Sequence, residues 1–310
     1  MQDRSITKAE SLQLPSASII IPTLHSPMLD RVIEALRQQS VLPLEVIIVG
    51  QDRYGFAQDD GWVRFFPTPH PIAPALASNL AIAYARGEVL CFIDSDCIAA
   101  PDWLETLLRY QAKGMRAVGG SIGLQQQSFW QRCDNIACMG SFLVTAPAGQ
   151  RPYLITANLA LHRSLIREFG AFDESFQRAS GEDTDLTFRL RAVGVPLHFA
   201  PDALVYHHTN RSNAEAAWKH MRTYALEWPR LAARYRDILP FSLWQALYRY
   251  VPMFALLLVP LVALRDVLAT YRIQPALWKH AWWAFVGVWW ARLGWYAGLI
   301  SVLKQLDERR

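Results

Sequence analysis

The sequence predicts an α/β fold, in which a mostly parallel, Rossmann-like sheet carries helices on both faces and is followed by a C-terminal helical hairpin. Apolar, β-branched runs alternate with helical patterns over residues 17–199, as in a parallel sheet with crossover helices. Several of these runs are apolar without alternation, as strands buried on both faces are. Beyond residue 240 the chain becomes more apolar, and half of its twelve tryptophans fall within residues 278–295.

The elements follow in a regular order. Pro74 and Pro101 are placed to open two of the helices, and Gly87, Gly170 and Gly194 to close three. We expect strands at residues 17–21, 44–49, 62–66, 89–93, 116–124, 155–161 and 195–199, helices at 30–39, 74–86, 101–113, 164–169 and 181–194, and a loop with a short helix at 125–150.

Composition and charge narrow the class of protein. The 310 residues carry a net charge of +4, which is too weakly basic for a dedicated nucleic-acid binder. The polar N-terminal tail lacks the apolar core of a signal peptide, so we expect the domain that follows it to stay in the cytoplasm. The expected organisation is a polar tail at 1–16, an α/β domain at 17–212, a basic juxtamembrane helical segment at 213–240, a hydrophobic membrane-associated hairpin at 241–303 and a charged tail at 304–310.

Asp94 and Asp96 directly follow the apolar run 89–93. Alternate residues of a strand share a face, so both carboxylates are expected to point the same way. Two adjacent carboxylates repel unless a cation lies between them, and a hard divalent ion that carries phosphates meets that need. Ligands of parallel sheets bind beyond the carboxyl ends of the strands, where Thr23 is also expected. The pattern predicts a metal–diphosphate site, and the alternative is a solvated Asp-Ser-Asp turn.

Glu182, Asp183 and Asp185 gather in the first turn of a predicted helix. One interpretation is structural, since the helix macrodipole stabilises acidic side chains there. The other is a general base at a helix N-terminus. Neighbouring helix residues point about 100° apart, so Glu182 and Asp183 can serve different partners, one orienting a sugar or acceptor and the other taking a proton.

His207 and His208 follow a strand-like run. A neutral imidazole can join carboxylates around a metal ion. Adjacent residues of an extended segment face opposite ways, so at most one of the two is expected to reach the metal. The alternative is a pair of surface or hydrogen-bonded histidines.

These segments belong to a larger ordered pattern. It consists of Ile-Ile-Ile-Pro-Thr at 19–23, Asn79 with Ala83 and residues 85–89, Phe-Ile-Asp-Ser-Asp at 92–96, Thr-Ala-Asn-Leu-Ala at 156–160, Phe-Gly-Ala-Phe-Asp-Glu at 169–174, Gly-Glu-Asp-Thr-Asp-Leu at 181–186 with Arg189 and Leu190, and residues 201–203 and 205–207. In this order they resemble the family 2 glycosyltransferases, inverting enzymes with the GT-A fold. Each motif is weak alone, but the ordered set is specific and covers roughly residues 17–212.

The resemblance implies a role for each matched residue. Asp96 would bind a divalent metal, Mn²⁺ or Mg²⁺, and His207 would complete the metal site or touch the diphosphate, with His208 as the fallback. Asp183 would be the general base that deprotonates the acceptor hydroxyl, with Glu182 beside it. The nucleotide-diphosphate sugar donor would be contacted by Thr23, Gln51, Asp52, Asn79, Asp94 and Asn158, and Asp94 would also contact the metal.

Two departures from the family pattern concern the donor. Such enzymes carry acidic residues directly after the second strand, where this chain has Val-Gly-Gln-Asp at 49–52. Gln51 can hydrogen-bond to the nucleotide base. Asp52 can take the place of the usual acidic residue if the loop is shifted. The arginine usual before the matched asparagine is Ser78 here. The nucleotide therefore stays open.

The C-terminal region is expected to contact a membrane. Residues 250–264 are short for a spanning helix, whereas 281–303 are long enough but carry Arg292 in the middle, which is costly in a bilayer. Tryptophan prefers the membrane interface, so a spanning hairpin and an interfacial one both fit, and a soluble helix pair is the alternative. The basic residues 211–236 suit an anionic lipid surface. We expect the inner membrane, with the catalytic domain facing the cytoplasm.

The expected activity is transfer of a sugar to a hydroxyl of a lipid-linked or polysaccharide acceptor, as in the synthesis of polysaccharide for the cell envelope. One alternative is transfer to a polyprenyl phosphate, where the acceptor is already an anion and a base matters less. A different class is a non-catalytic scaffold that keeps the fold as a platform for partners at the membrane.

Overall fold

A computed structural model describes residues 13–124, 127–239, 252–272 and 281–307. The strands are β1 (Ala17–Leu24), β2 (Glu45–Gln51), β3 (Val63–Pro67), β4 (Val89–Ile93), β5 (Cys97–Ala99), β6 (Ala117–Gly123), β7 (Gly149–Gln150), β8 (Asn158–His162) and β9 (His198–His207). The helices are α1 (Leu29–Arg37), α2 (Pro74–Tyr84), α3 (Trp103–Ala112), α4 (Phe129–Met139), α5 (Arg163–Phe169), α6 (Glu182–Ala192), α7 (Ala214–Tyr224), α8 (Trp228–Arg234), and two C-terminal helices, Pro252–Tyr271 and Ala281–Asp307.

The described strands form one sheet in the order β3-β2-β1-β4-β8-β6-β9-β5, with β7 also paired to β9. The α/β class is confirmed, and the sheet, although most of its paired residues are in parallel ladders, is mixed. Strands β3, β2, β1 and β4 run parallel, as do β6 and β9, whereas β8 runs antiparallel to both β4 and β6. An apolar run buried on both faces looks the same in either direction, so the sequence pattern carried no information on strand polarity.

The parallel half of the sheet determines where a ligand can bind. Ile20 pairs with Phe92, and Thr23 pairs with Gly50, so the carboxyl ends of β1, β2 and β4 meet at one edge. Ile19 to Ile21 and the whole of β4 are buried. A rigid apolar core therefore stands directly behind that edge, where ligands of such sheets bind.

Residues 125–150 differ from the loop with a short helix that we expected. Helix α4 (Phe129–Met139) runs for 11 residues and begins with a capping box between Ser128 and Gln131. In this box each side chain bonds the other residue's backbone N–H, which stabilises the first turn. The Ser-x-x-Gln spacing is the signal that hydrophobic periodicity missed, because α4 is buried on several sides and has no simple polar face.

The two C-terminal helices pack on the α/β domain and on each other. Arg292 Nε donates to Asp266 Oδ2 at 2.8 Å, which places two charges of the hydrophobic segment in one ion pair between the helices. Gly294 and Gly298 lie against the backbone of α7, where an added Cβ would contact the carbonyl oxygens of Trp218 and Arg222. Glycine therefore allows the last helix to lie along α7. The first part of the expected hairpin, residues 241–251, is outside the described residues.

We predict that Gly298→Ala destabilises the protein. The new Cβ would overlap the Arg222 carbonyl oxygen, and overpacking of this kind costs about 1–3 kcal/mol. The urea midpoint of the full chain should fall. Gly140→Ala is the matched control, since an added Cβ at Gly140 meets no atom within 4 Å. Equal midpoints for the two variants would contradict the close contact between the last helix and α7.

Candidate active site

A cleft of about 620 Å³ opens at the edge where β1 and β4 end. Its walls bring together most of the residues that the sequence singled out. Asp94, Asp96 and His207 line it together with Glu182 and Asp183, and Thr23 contributes from the end of β1. The acidic pair and the acidic helix start, far apart in sequence, thus face one cavity.

Asp94 and Asp96 converge through a turn rather than by strand alternation. Strand β4 ends at Ile93, and the Cys97 backbone N–H donates to the Asp94 carbonyl at 3.0 Å. Ser26 Oγ donates to the Ser95 carbonyl at 2.6 Å, which ties the turn to the segment after β1. Both carboxylates line the same cleft, but a turn places them there instead of the expected strand alternation.

His207 is the histidine that reaches the acidic pair. Its buried ring places Nε2 3.4 Å from Asp96 Oδ1. His208 meets Asp96 through the backbone instead, where its N–H donates to the Asp96 carbonyl at 2.8 Å, and its side chain is not among the residues lining the cleft. Adjacent residues at the end of β9 face opposite ways, as expected.

The charges of this cluster explain its proton affinities. Burial and the neighbouring Asp96 raise the pKa of Asp94 to about 6. Burial opposes ionisation of Asp96 as well, but His207, Arg211 and a backbone hydrogen bond together outweigh burial and lower the pKa of Asp96. Burial also opposes the charge on His207, yet Asp96 raises the pKa of His207. Asp94 therefore takes up a proton more readily than an isolated carboxylate does, whereas Asp96 takes one up less readily.

The donor set fits a hard divalent ion. Ligand atoms of Asp94, Asp96, Cys97 and His207 all lie within 4.8 Å of one another. Carboxylate oxygens and an imidazole nitrogen suit Mg²⁺ or Mn²⁺. Burial raises the pKa of the Cys97 thiol well above its usual value, so the thiol stays protonated and is a poor ligand. The fitting ligands are thus the two aspartates and His207.

Asp183, in the first turn of α6, is held in place by two backbone donors, one from α6 and one from the segment before β8. The N–H of Thr184 donates to Oδ1 at 2.6 Å, and the N–H of Thr156 donates to Oδ2 at 3.3 Å. Burial raises the pKa of Asp183 despite these bonds. An oriented carboxylate with a raised pKa is a better proton acceptor than a solvated one.

Glu182 differs from its neighbour. Burial and the charge of Asp183 raise the pKa of Glu182 well above its usual value. Its Oε2 atom is buried and has no hydrogen-bond partner among the described residues. Thr23 Oγ1 is also buried and has no hydrogen-bond partner among the described residues. Two unpartnered polar atoms in residues that line one cleft indicate a site built for a polar ligand.

A cationic wall faces the acidic pair, and the sequence did not reveal it. Arg211, His220 and Tyr224 line the cleft, the last two from α7. Arg211 Nε donates to Asp134 Oδ2 at 2.6 Å, and His220 Nδ1 lies 2.8 Å from Asp134 Oδ1. The segment 213–240, expected to lie on lipid headgroups, thus supplies part of the cleft. Isolated histidines and arginines on a basic helix carry no sequence signal for this.

Three predicted donor-binding residues make structural bonds outside the cleft lining. Gln51 Nε2 donates to the Thr68 carbonyl at 3.1 Å. Asp52 accepts from the N–H groups of Tyr54 and Ala57 and so organises the turn after β2. Asn79 exchanges hydrogen bonds with the Phe172 backbone, both at 3.0 Å, and thereby holds the segment before α6.

Asn158 has an entirely internal role in this structure. It is fully buried, and its Oδ1 accepts from Trp103 Nε1 at 2.8 Å. Its Nδ2 donates to the carbonyls of Ser121 at 3.0 Å and Ala203 at 2.8 Å. These bonds join α3, β6, β8 and β9, so the side chain is saturated and does not face the cleft.

Comparison with known proteins agrees with this geometry. Residues 18–170 match the model of the family described as glycosyl transferase family 2. The chain carries a family 2 glycosyltransferase domain. The pre-mycofactocin glycosyltransferase of Mycobacterium tuberculosis is 28% identical over 207 residues, which cover 61% of this chain and 42% of the relative. A probable glycosyltransferase of Bacillus subtilis, YdaM, is 26% identical over 217 residues, covering 63% and 51%. The chain thus matches about half the length of these relatives.

Solved structures show the same fold. The mannosyltransferase of Pyrobaculum calidifontis was solved with GDP-mannose and Mn²⁺, and it superimposes with a TM-score of 0.61 at 14% sequence identity. The superposition covers 94% of this chain and 88% of the mannosyltransferase chain. GalNAc-T7, solved with UDP, GalNAc and Mn²⁺, has a TM-score of 0.52 at 13% identity, covering 77% and 52%. At such identities the likeness is one of fold, and it confirms the GT-A class for the glycosyltransferase domain.

We predict that Asn158→Ala lowers the free energy of unfolding by several kcal/mol. The substitution leaves the buried Trp103 N–H and two carbonyls without partners, and each such loss costs about 1–3 kcal/mol. Urea denaturation measures the loss. Asn210→Ala, at an exposed asparagine, is the control and should leave the midpoint unchanged. A stable Asn158→Ala protein would rule out this structural role.

Proposed function

We propose that the protein is an inverting glycosyltransferase, which moves a sugar from a nucleotide-diphosphate donor to the hydroxyl of a lipid-linked or polysaccharide acceptor. The observation that carries this proposal is one cleft lined by a metal-type cluster, Asp94, Asp96 and His207, and by a backbone-held carboxylate, Asp183. A single displacement needs both a stabilised leaving group and a base for the attacking hydroxyl.

The acidic cluster and the cationic wall would bind the donor. Asp94, Asp96 and His207 would hold Mn²⁺ or Mg²⁺, which when bound neutralises the charge of the departing nucleotide diphosphate. Arg211 adds a positive charge near Asp96, and His220, whose pKa is lowered by burial, adds a hydrogen-bonding group to the cleft lining. Thr23, with its unpartnered hydroxyl, and Ser78 would contact the donor along the wall formed by β1 and α2.

Asp183 would accept the proton of the acceptor hydroxyl. The Thr184 and Thr156 N–H groups hold the carboxylate in one orientation, and its raised pKa favours proton uptake. Glu182, whose raised pKa favours the protonated form, would donate a hydrogen bond to the sugar or acceptor. Attack by the activated oxygen opposite the departing diphosphate inverts the anomeric centre.

We predict that Asp183→Asn abolishes most turnover while donor binding persists. Losing a general base lowers kcat by about 10²- to 10⁴-fold. The donor is first found by thermal shift with UDP- and GDP-sugars, with and without Mn²⁺, because a ligand stabilises the state it binds. Turnover is then measured with that donor and membrane-extracted acceptor. Asp102→Asn, at an exposed helix cap, is the matched control. Unchanged turnover in Asp183→Asn would overturn this assignment and favour a phosphate acceptor, whereas a wild-type protein without turnover would favour a scaffold.

We also propose that the C-terminal helices bind the surface of an anionic membrane, such as the inner membrane with the catalytic cleft on the cytoplasmic side. Residues Trp283–Gln305 are long and apolar enough to cross a membrane by length and composition. Their contacts with α7 and α4 favour an orientation in which the helix lies along the domain instead. A lipid-linked acceptor would then enter the cleft from the membrane surface.

The exposed face of the helix pair has the composition of such a surface. Leu257 and Leu261 are 71% and 58% exposed and begin a stripe that continues through Leu264 and Leu268. The second helix adds exposed tryptophans, which prefer the membrane interface. Within the described side chains of both helices, the exposed charged groups are the cations Arg265 and Lys304, and the exposed Arg272 directly follows the first helix. Apolar side chains beside cations fit anionic lipid better than a second protein copy.

We predict that Leu257→Glu with Leu261→Glu releases the protein from vesicles of phosphatidylglycerol and phosphatidylcholine. Losing two leucine insertions at roughly 1.5–3 kcal/mol each should weaken binding by at least about 100-fold. Flotation of the full chain measures it. Leu42→Glu with Leu44→Glu, at two other exposed leucines, is the matched control. Unchanged flotation, or a dimer by light scattering that the substitutions dissociate, would overturn the lipid proposal.

A further inference from the structure

Two consecutive residues of α4, Asp134 and Asn135, lie behind the cleft. Both are fully buried, and neither is among the residues that line the cavity. Each bonds to a side chain that does line it. Asn135 contacts His207, and Asp134 contacts Arg211 and His220.

The contact between Asn135 and His207 has one consistent hydrogen-bond assignment. Asn135 Nδ2 lies 3.5 Å from the His207 carbonyl oxygen, an atom that only accepts, so the amide nitrogen faces it. The amide oxygen Oδ1 therefore faces the ring and lies 2.9 Å from His207 Nδ1. Because an amide oxygen cannot donate, Nδ1 must carry the proton.

This bond determines what the other ring nitrogen can do. A neutral imidazole with its proton on Nδ1 has a lone pair on Nε2. His207 Nε2 is the atom that faces Asp96, at 3.4 Å. A second bond supports the ring from its backbone, since Gln127 Nε2 donates to the His207 carbonyl at 2.9 Å. The lone pair is thus directed at the metal-type cluster.

Asp134, the neighbour of Asn135 on α4, bonds to two other side chains. Its Oδ2 accepts from Arg211 Nε at 2.6 Å, and its Oδ1 lies 2.8 Å from His220 Nδ1. The carboxylate therefore uses one oxygen for each of two side chains that line the cleft. With Nε engaged, the guanidinium has its terminal nitrogens left to meet a ligand.

We propose that Asn135 and Asp134 are positioning residues. Asn135 holds the tautomer in which His207 presents Nε2 to the metal, and Asp134 orients Arg211 and His220 toward the donor diphosphate. The binding of a metal by His207 and of the donor diphosphate by Arg211 and His220 rests on the function proposed above. The histidine tautomer, however, can be measured without metal, donor or acceptor.

The first experiment tests Asn135 by nitrogen NMR of histidine-labelled full-length protein at alkaline pH, where the imidazole is neutral. Wild type and Asn135→Asp should both show His207 protonated on Nδ1, because a carboxylate oxygen also accepts. Asn135→Ala should show a mixture of tautomers. Ala137→Gly, at a buried residue of the same helix that bonds no cleft side chain, controls for loss of stability. The same tautomer in Asn135→Ala as in wild type would overturn the proposal.

Binding of Mn²⁺ alone provides the second readout. Removing a residue that orients a metal ligand typically weakens metal affinity by about 10- to 100-fold. We expect that loss in Asn135→Ala, and little change in Asn135→Asp and Ala137→Gly. Equal weakening in Ala137→Gly would show that Asn135 acts through stability alone. Failure of the wild type to bind Mn²⁺ would refute the proposed metal site, while the tautomer result would still decide the role of Asn135.

Asp134 is tested with pyrophosphate and Mg²⁺ as the probe. Asp134→Asn should weaken pyrophosphate binding and leave the His207 tautomer unchanged. The double variant Arg211→Gln with His220→Gln should weaken binding too, and adding Asp134→Asn to it should cause no further loss, because Asp134 acts through these two side chains. Additive losses, or unchanged binding in Asp134→Asn, would overturn this part of the proposal.

Discussion

Asp94 and Asp96 are held side by side at the end of a buried strand, and the surrounding groups compensate for their repulsion. A turn fixed by Ser26 brings the two carboxylates together, and partial burial limits the water that can share their charge. His207 offsets Asp96, and Arg211 stands nearby with its own counter-charge on Asp134. Positive and negative groups therefore alternate through the cleft wall, and a divalent ion would complete that series.

The two chemical tasks of the cleft are assigned to different parts of the fold. The groups that would bind the leaving diphosphate come from the ends of β4 and β9 and from α7. The proposed base, Asp183, lies at the start of α6, and the N–H groups of Thr184 and Thr156 orient its carboxylate. Because separate elements carry these tasks, a substitution at one end need not disturb the other.

The sequence predicted this site where the side chain and its local motif act together. Asp94, Asp96, Asp183 and His207 sit at strand ends or at a helix start, positions that apolar runs and an acidic first turn reveal. Gln51 and Asn158 were expected to bind the donor because of neighbouring residues in the chain, whereas their bonds in the structure are set by strands distant in sequence. Only tertiary contacts distinguish a residue that lines the cleft from one that bonds to distant segments of the chain.

The same limit explains what was missed in the fold. Strand polarity depends on connections that an apolar run does not encode. Helix α4 lacked a polar face, so its capping box at Ser128 was its one local signal. Its role behind His207 and Arg211 depends on packing between segments about 70 residues apart, and no single window of the chain contains that information.

The contact of the glycine-bearing last helix with α7 has a practical consequence. Helix α7 bears His220 and Tyr224 on the side that faces the cleft and touches Gly294 and Gly298 on the other. A fragment shortened to end before residue 240, in order to gain solubility, would therefore expose the surface of α7 on which the last helix packs. The opposite surface of α7 lines the cleft. Inactivity of such a fragment would reflect a damaged pocket and would not be evidence that a bilayer is required for turnover.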